Sequence, residues 1–296
     1  MQGKYFLTRT APDTVVCREI AASDFEAVAR CLARNFHRRS LTFWKRALKR
    51  LASAPPTRNA PKLGHLLEAG GAVVGVLLEI SHASDLPGAP APRRNFSSWC
   101  ADAAFRGFAL TLSRQATRNA EMTYLNLTPA PHTIPIVETF GFKRYAKGVF
   151  VATPWRNAPI SGAQLIVYDA GSREAAALSA WERAMLADHQ RWGLDALIGV
   201  NHDGATPFVL RKRPLWRHWI PAAQLIYSRS EQDLINFAHL IGRRCLRRGR
   251  AQLFVNANGP IASLAGHYVE GRDPRFFRGP APPALTDLAY TELAML

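Results

Sequence analysis

Four cysteines, Cys17, Cys31, Cys100 and Cys245, and nine histidines are scattered along the 296 residues. None falls into the close pairs that zinc knuckles or dithiol redox motifs use, so no metal is expected and the thiols read as reduced and mostly buried. Ser97 and Ser98 have no His and Asp arrangement beside them, which argues against a serine nucleophile. Arg243-Arg244, Arg247-Arg248 and Arg250 gather at the C-terminal end of a helical stretch, where the helix dipole alone favours cations. Asn256-Ala257-Asn258-Gly259-Pro260 is a turn by its chemistry. Asp287 and Glu292, near the end of the sequence, have no spacing that assigns them a role. The segment with the most to offer is Ser98-Trp99-Cys100-Ala101-Asp102-Ala103-Ala104-Phe105-Arg106-Gly107-Phe108-Ala109-Leu110-Thr111-Leu112, in which a strand turns through Asp102–Gly107 into a helix.

The elements around that turn can be read from periodicity. Val15–Ile20 is a short strand, and Ser23, with Glu26 at capping-box spacing, predicts a helix from Asp24 to Phe36. Leu41, Trp44, Leu48 and Leu51 mark a second helix, which Pro55-Pro56 ends. Leu63–Glu68, the turn Ala69-Gly70-Gly71 and the apolar run to Ile80 predict a β-hairpin. Residues 85–95, with three prolines, read as an exposed connection. A strand at Phe96–Ala101, the helix ending near Asn119, a strand at Met122–Thr128, a short helix at Pro131–Thr139 and a strand at Phe142–Ala152 complete the first half. After a linker at 154–163 the order partly recurs: strand 165–168, helix 172–192, strands near 196–201 and 206–212, strand 224–227, helix 231–248, strand 252–255 and a last strand near Tyr290. The weak repetition predicts an α/β chain of two mixed-sheet domains with helices on both faces, 1–153 and 164–296.

The turn after Ala101 resembles the signature of the GNAT superfamily of acyltransferases, in which a strand leads through Arg/Gln-x-x-Gly-x-Gly/Ala into a helix. Arg106 matches, while Ala109 and Thr111 stand at the two glycine places. Ile136-Val137-Glu138-Thr139-Phe140-Gly141-Phe142 is similar to the family's Tyr-Glu-x-x-Gly-Phe ending, with Val137 where a tyrosine often protonates the leaving thiolate. The resemblance covers about residues 14–152, and the second half has no recognisable phosphate loop.

The resemblance implies a fold of two GNAT-like domains, the second degenerate. It implies that acyl-CoA or acetyl-CoA is the donor, its pyrophosphate held at Arg106, Gly107, Phe108, Ala109, Leu110 and Thr111 by backbone N–H groups at a helix N-terminus. Asn126, and Thr128 on the same face, would lie beside the pantetheine arm. An amine or hydroxyl acceptor would attack the thioester directly, with Glu79 near the end of the central strand as the base and His82 three residues later.

Composition sets the outer limits. The chain is 48% hydrophobic with a net charge of +16. Residues 1–157 hold 22 of the 38 basic and 10 of the 22 acidic residues, a field that attracts phosphorylated cofactors or nucleic acid. A nucleic-acid partner is open but not favoured. Met1–Arg9 has no apolar h-region and no stretch approaches the ~20 residues of a membrane helix, so a cytoplasmic protein is expected. Two alternatives to the acyltransferase stay open at this level: an aminoacyl-tRNA-dependent transferase of the duplicated GNAT kind, and a non-catalytic CoA-binding or ligand-binding module.

Overall fold

The computed structural model describes residues 14–53, 61–82, 84–215 and 220–296. The chain forms two compact units, one built from residues up to Ile80 together with Phe96–Asn119, the other from Ser81–Asn95 together with Ala120–Leu296. Pro55-Pro56 and the N-terminal Met1–Arg9 lie outside the described residues.

The first unit begins with β1 (Val16–Glu19), a 3-10 turn at Ala22–Asp24, α1 (Phe25–Asn35) and α2 (Leu41–Ala52). The expected cap at Ser23 is not used. Asp24 stands at the N-cap of α1 without a side-chain cap bond, and its carboxylate instead closes the 3-10 turn by accepting the Ala21 N–H at 2.8 Å and binds Arg18 at 2.7 Å. Ser40 caps α2 through the Phe43 N–H, and the three- and four-residue spacing read from sequence buries Trp44, Ala47, Leu48 and Leu51. The hairpin of β2 (Gly64–Ala69) and β3 (Ala72–His82) turns through Gly70 and Gly71. Both have positive φ, the twist a two-residue hairpin turn requires. β4 (Arg93–Ala101) and α3 (Ala109–Ala116) follow, and the strands lie in the order β1-β2-β3-β4. β4 starts earlier than expected: Arg93, Arg94 and Asn95 are buried strand residues of the second unit rather than an exposed connection.

In the second unit come β5 (Thr123–Asn126), α4 (Ile134–Thr139), β6 (Lys143–Ala152), β7 (Gln164–Val167), α5 (Arg173–Ala176), α6 (Ala180–Arg191) and β8 (Asp195–Asn201). They are followed by β9 (Gly204–Leu215), β10 (Ile220–Ser228), α7 (Glu231–Asn236), α8 (Ala238–Arg247), β11 (Leu253–Ala257), β12 (Gly266–Arg278) and α9 (Glu292–Met295). The single helix expected over 172–192 is broken, because Ser179 starts a new one with a capping box to Glu182. That expected over 231–248 is broken at Phe237, which is buried against the Phe208 ring.

Strand order in this unit is β5-β12-β6-β11-β10-β9-β8-β7. β12 therefore lies between β5 and β6, and β6 between β12 and β11. β12 pairs antiparallel with β5 and β6, as do β6 with β11, β10 with β9, β9 with β8 and β8 with β7, whereas β10 with β11 is parallel and short, Ala223 facing Leu253 and Gln224 facing Phe254. Beyond it β10 bonds instead to the segment after residue 284: Ser228 N–H to Thr286 O at 3.1 Å and Leu288 N–H to Ile226 O at 2.8 Å. The last strand expected near Tyr290 is absent. Tyr290 has a φ of 56° and leads into α9. The terminal strand is β12, which the sequence reading did not anticipate.

Alternation along the strands gives the sheet two faces. Phe150, Phe208, Leu210, Leu225, Leu253 and Val255 pack under Leu234 of α7, Ile241 of α8 and Phe237 between them, each large side chain worth about 1.5–3 kcal/mol on burial. The opposite face carries Val149, Val151, Ala222 and Phe254.

Candidate functional site

The turn between β4 and α3 is fastened at both ends within the first unit. Asp102 donates its N–H to Val74 O at 2.7 Å, and its carboxylate accepts from Arg34 and Asn35 of α1, each at 2.8 Å. A 3-10 helix over Ala103–Phe108 then runs into α3, with the Ala109 N–H bonded to Arg106 O and the Trp99 indole donating to Ala109 O at 3.1 Å. The outer surface of this rigid turn is open. Ala103, Ala104, Arg106, Gly107, Phe108, Leu110 and Thr111 are exposed, and a Cβ at Gly107 would meet nothing within 4 Å. Among the described residues, no carboxylate lies within 4.0 Å of Arg106.

The two places that differ from the family pattern have a local explanation. Ala109 has φ −57° and ψ −31°, an ordinary helical conformation that needs no glycine. Thr111 lies in the first turn of α3 with its side chain exposed, so its branched Cβ does not narrow the turn. Val137, at the place of the family's tyrosine, is buried in α4 and supplies no acid.

Glu79 is fully buried in β3. Its N–H bonds to Leu63 O at 3.0 Å, and Oε1 lies 2.6 Å from Nδ1 of His65, which is itself buried in β2. The sequence reading placed His82 beside Glu79. The hairpin register instead sets His65 opposite Leu77 and brings it to Glu79, fourteen residues away. His65 could not be picked out without that register. Arg106–Thr111 and Glu79 belong to the first unit. Asn126 ends β5 in the second, half-buried, with Phe276 of β12 as its register partner. Thr128 lies beyond the strand and donates to Glu292 at 2.6 Å.

Two groups left without a role in the sequence acquire structural ones in the second unit. Asp287 receives a bidentate pair from buried Arg93, both contacts 2.7 Å. The basic run at the end of α8 is gathered on Asp195, which Arg244, Arg248 and Arg250 all approach, and this adds a specific counter-ion to the helix dipole. Among the described residues no group of three His, Cys, Asp or Glu side chains is placed to hold a metal, and no helix is long and apolar enough to cross a membrane.

No protein-family model matches the chain, and no curated protein matches it in sequence. Solved structures do. A Pyrococcus horikoshii protein provisionally described as an acetyltransferase superposes with a TM-score of 0.56 at 11% identity, covering 99% of this chain and 98% of that one. A GCN5-related N-acetyltransferase from Anabaena variabilis gives 0.57 at 10% identity, over 89% of this chain and 72% of its own. One from Kribbella flavida gives 0.52 at 14% identity, over 90% and 71%. The chain has the GCN5-related N-acetyltransferase fold. Within that GNAT fold the strand, turn and helix of Ser98–Leu112 stand as their sequence suggested, and the α/β class with mixed sheets is as expected.

Proposed function

We propose that the protein is an acyltransferase that takes an acyl group from acyl-CoA, acetyl-CoA being the simplest donor, and passes it to an amine or hydroxyl acceptor. The observation that carries this reading is the turn at Arg106–Thr111: a cation without a counter-ion among the described residues, on a fixed and exposed turn that opens a helix and whose sequence resembles the GNAT phosphate loop. Here the side chain of Arg106 takes a larger share of the anion than in glycine-rich loops, since the Ala109 N–H is engaged by Arg106 O.

In this reading the chain holds two copies of one fold, 1–153 and 164–296 joined by 154–163, and only the first keeps a donor site. The succession β1–β6 with its helices is followed by β7–β12 in a similar order, each run contributing its last strand to the other. Past the short β10–β11 pairing, residues 286–288 of the chain itself bond to β10.

For the chemistry, the acceptor attacks the thioester carbonyl, the C–S bond breaks and CoA leaves as thiolate, while the acceptor's proton passes to a base. We assign the base to the Glu79–His65 pair. Glu79 has no exposed surface, so it acts through His65: accepting the Nδ1 proton in a hydrogen bond leaves Nε2 free to receive another. Steady-state turnover of acetyl-CoA with a panel of amines tests the assignment. Glu79→Gln is expected to lower kcat about a hundredfold with donor affinity kept, and His65→Gln to do the same. Turnover near wild type in both variants would remove this pair from the mechanism.

A further inference from the structure

On the face of the second unit's sheet turned away from α7 and α8, three arginines converge. Arg211 and Arg213 of β9 alternate with core residue Leu210, and Gln224 of β10 and Asn256 of β11 alternate with core residues Ala223 and Val255, so all four share this face. Register lines up Arg211 with Gln224 and Gln224 with Phe254, with Asn256 two residues further along. Arg275, from β12, reaches the same row by bonding Asn256 Oδ1 at 3.3 Å.

The charges of this cluster are not balanced. Arg213 is paired with Asp273 at 2.6 Å and sits over the Phe254 ring at 4.5 Å. Arg211 has only neutral partners, Gln224 Oε1 at 3.1 Å and Leu293 O at 2.6 Å. Arg275 is 2% exposed and likewise has only Asn256 and Leu127 O. Among the described residues neither has a carboxylate within 4.0 Å, and Nη2 of each lacks a hydrogen-bond acceptor. Burial, then the like charges of Arg213 and Arg275, bring Arg211 down to about 10, with the carboxylates of Glu292 and Asp273 opposing them from beyond 4.0 Å. A buried guanidinium without a carboxylate paired directly to it is costly, and each here uses two of its five N–H groups on protein. The side chains of Arg213 and Asp273 are 16% and 32% exposed, so the row reaches solvent at that edge.

We propose that Arg211 and Arg275 form a receptor for one oxyanion, the carboxylate or phosphate group of a small ligand. A planar guanidinium with a spare edge is complementary to such a group, and the anion supplies the direct ion pair that neither arginine makes among the described residues. The proposal does not depend on the donor site at Arg106, which lies in the other unit.

Calorimetric and thermal-shift titrations of the full chain with inorganic phosphate and with succinate, each against sodium chloride at matched ionic strength, test it. Saturable binding of phosphate identifies a phosphoryl ligand and saturable binding of succinate a carboxylate. In either case Arg211→Gln is expected to weaken binding at least tenfold while melting no lower than wild type, because an uncompensated buried charge has been removed. Arg106→Glu is expected to bind the same probe unchanged, which separates this site from the donor turn. Should Arg211→Gln fail to fold, Arg211→Lys keeps the charge but loses the planar fork and is expected to show the same tenfold loss. Neither probe stabilising beyond chloride, or undiminished binding in the folded Arg211 variant, would overturn the proposal.

Discussion

His82 shows how one side chain can couple this fold to pH. Its ring stacks on Tyr290 with centroids 3.8 Å apart and planes 4° from parallel, and its Nε2 accepts the Trp181 indole N–H at 3.2 Å. That acceptor role requires a neutral imidazole. Burial, then the charges of Arg93 and His189, press its pKa down to about 3, with Asp287 opposing them. The folded value is thus below the unfolded one, and between the two the unfolded chain binds the extra proton. Stability contributed here is present above about 6.5 and falls as the pH drops toward 3, by about 2 kcal/mol between pH 7 and pH 5. Urea unfolding at those two pH values should show the loss in wild type and a difference smaller by about that amount in His82→Gln, which keeps an acceptor but does not titrate. Identical pH dependence in both proteins would exclude His82 as the source. The sequence points to His82 only as a neighbour of Glu79 and not to this environment, since Trp181 and Tyr290 are far from it in the chain. The same applies to Glu79, whose strand position was legible but whose partner His65 emerges only from the hairpin register.

At the scale of elements, the parts that were legible are those whose local chemistry agrees with their final environment. The β2–β3 hairpin follows from Gly70-Gly71 between apolar runs, and α2 from one apolar stripe. β12 was missed because it looks like a loop: Gly271, Asp273 and Pro274 interrupt it, Asp273 has φ 48°, and its register against β6 shifts between Glu270 and Arg275. It is a strand because its neighbours on both sides supply the ladder, a tertiary cause that local propensity does not carry. The reverse error was made after residue 284, where buried apolar residues read as a strand but serve as a plug beside β10. One helix contact depends on a single missing side chain. Gly242 of α8 lies against the Pro154–Arg156 turn so closely that a Cβ would stand 2.1 Å from Trp155 N and 2.5 Å from Pro154 C. Gly242→Ala improves helix propensity by about 1 kcal/mol, yet the forced separation from backbone costs about 1–3 kcal/mol and should win. A lower Tm than wild type is expected in thermal unfolding, and a higher one would mean that the turn yields without cost.

For the whole molecule, the sequence disclosed the family resemblance through one turn and the order of elements, and the fold agrees with it across almost the entire chain at 11% identity. Likeness at that distance concerns the arrangement of strands and helices, so activity has to rest on what this chain's own residues present. The adjacency of β6 and β12 was hidden from the sequence because neither strand's pairing is local. What the acyltransferase account requires above all is a donor held at the exposed turn of Arg106, whose charge has no partner within 4.0 Å among the described residues. Isothermal titration of the full chain with CoA, for wild type and for Arg106→Glu, measures this directly. The account predicts saturable binding by wild type, weakened at least tenfold when the charge beside the phosphates is reversed, with the melting temperature of the variant unchanged because Arg106 makes no ion pair among the described residues. CoA binding of equal strength in the two proteins, or none in wild type, would contradict it.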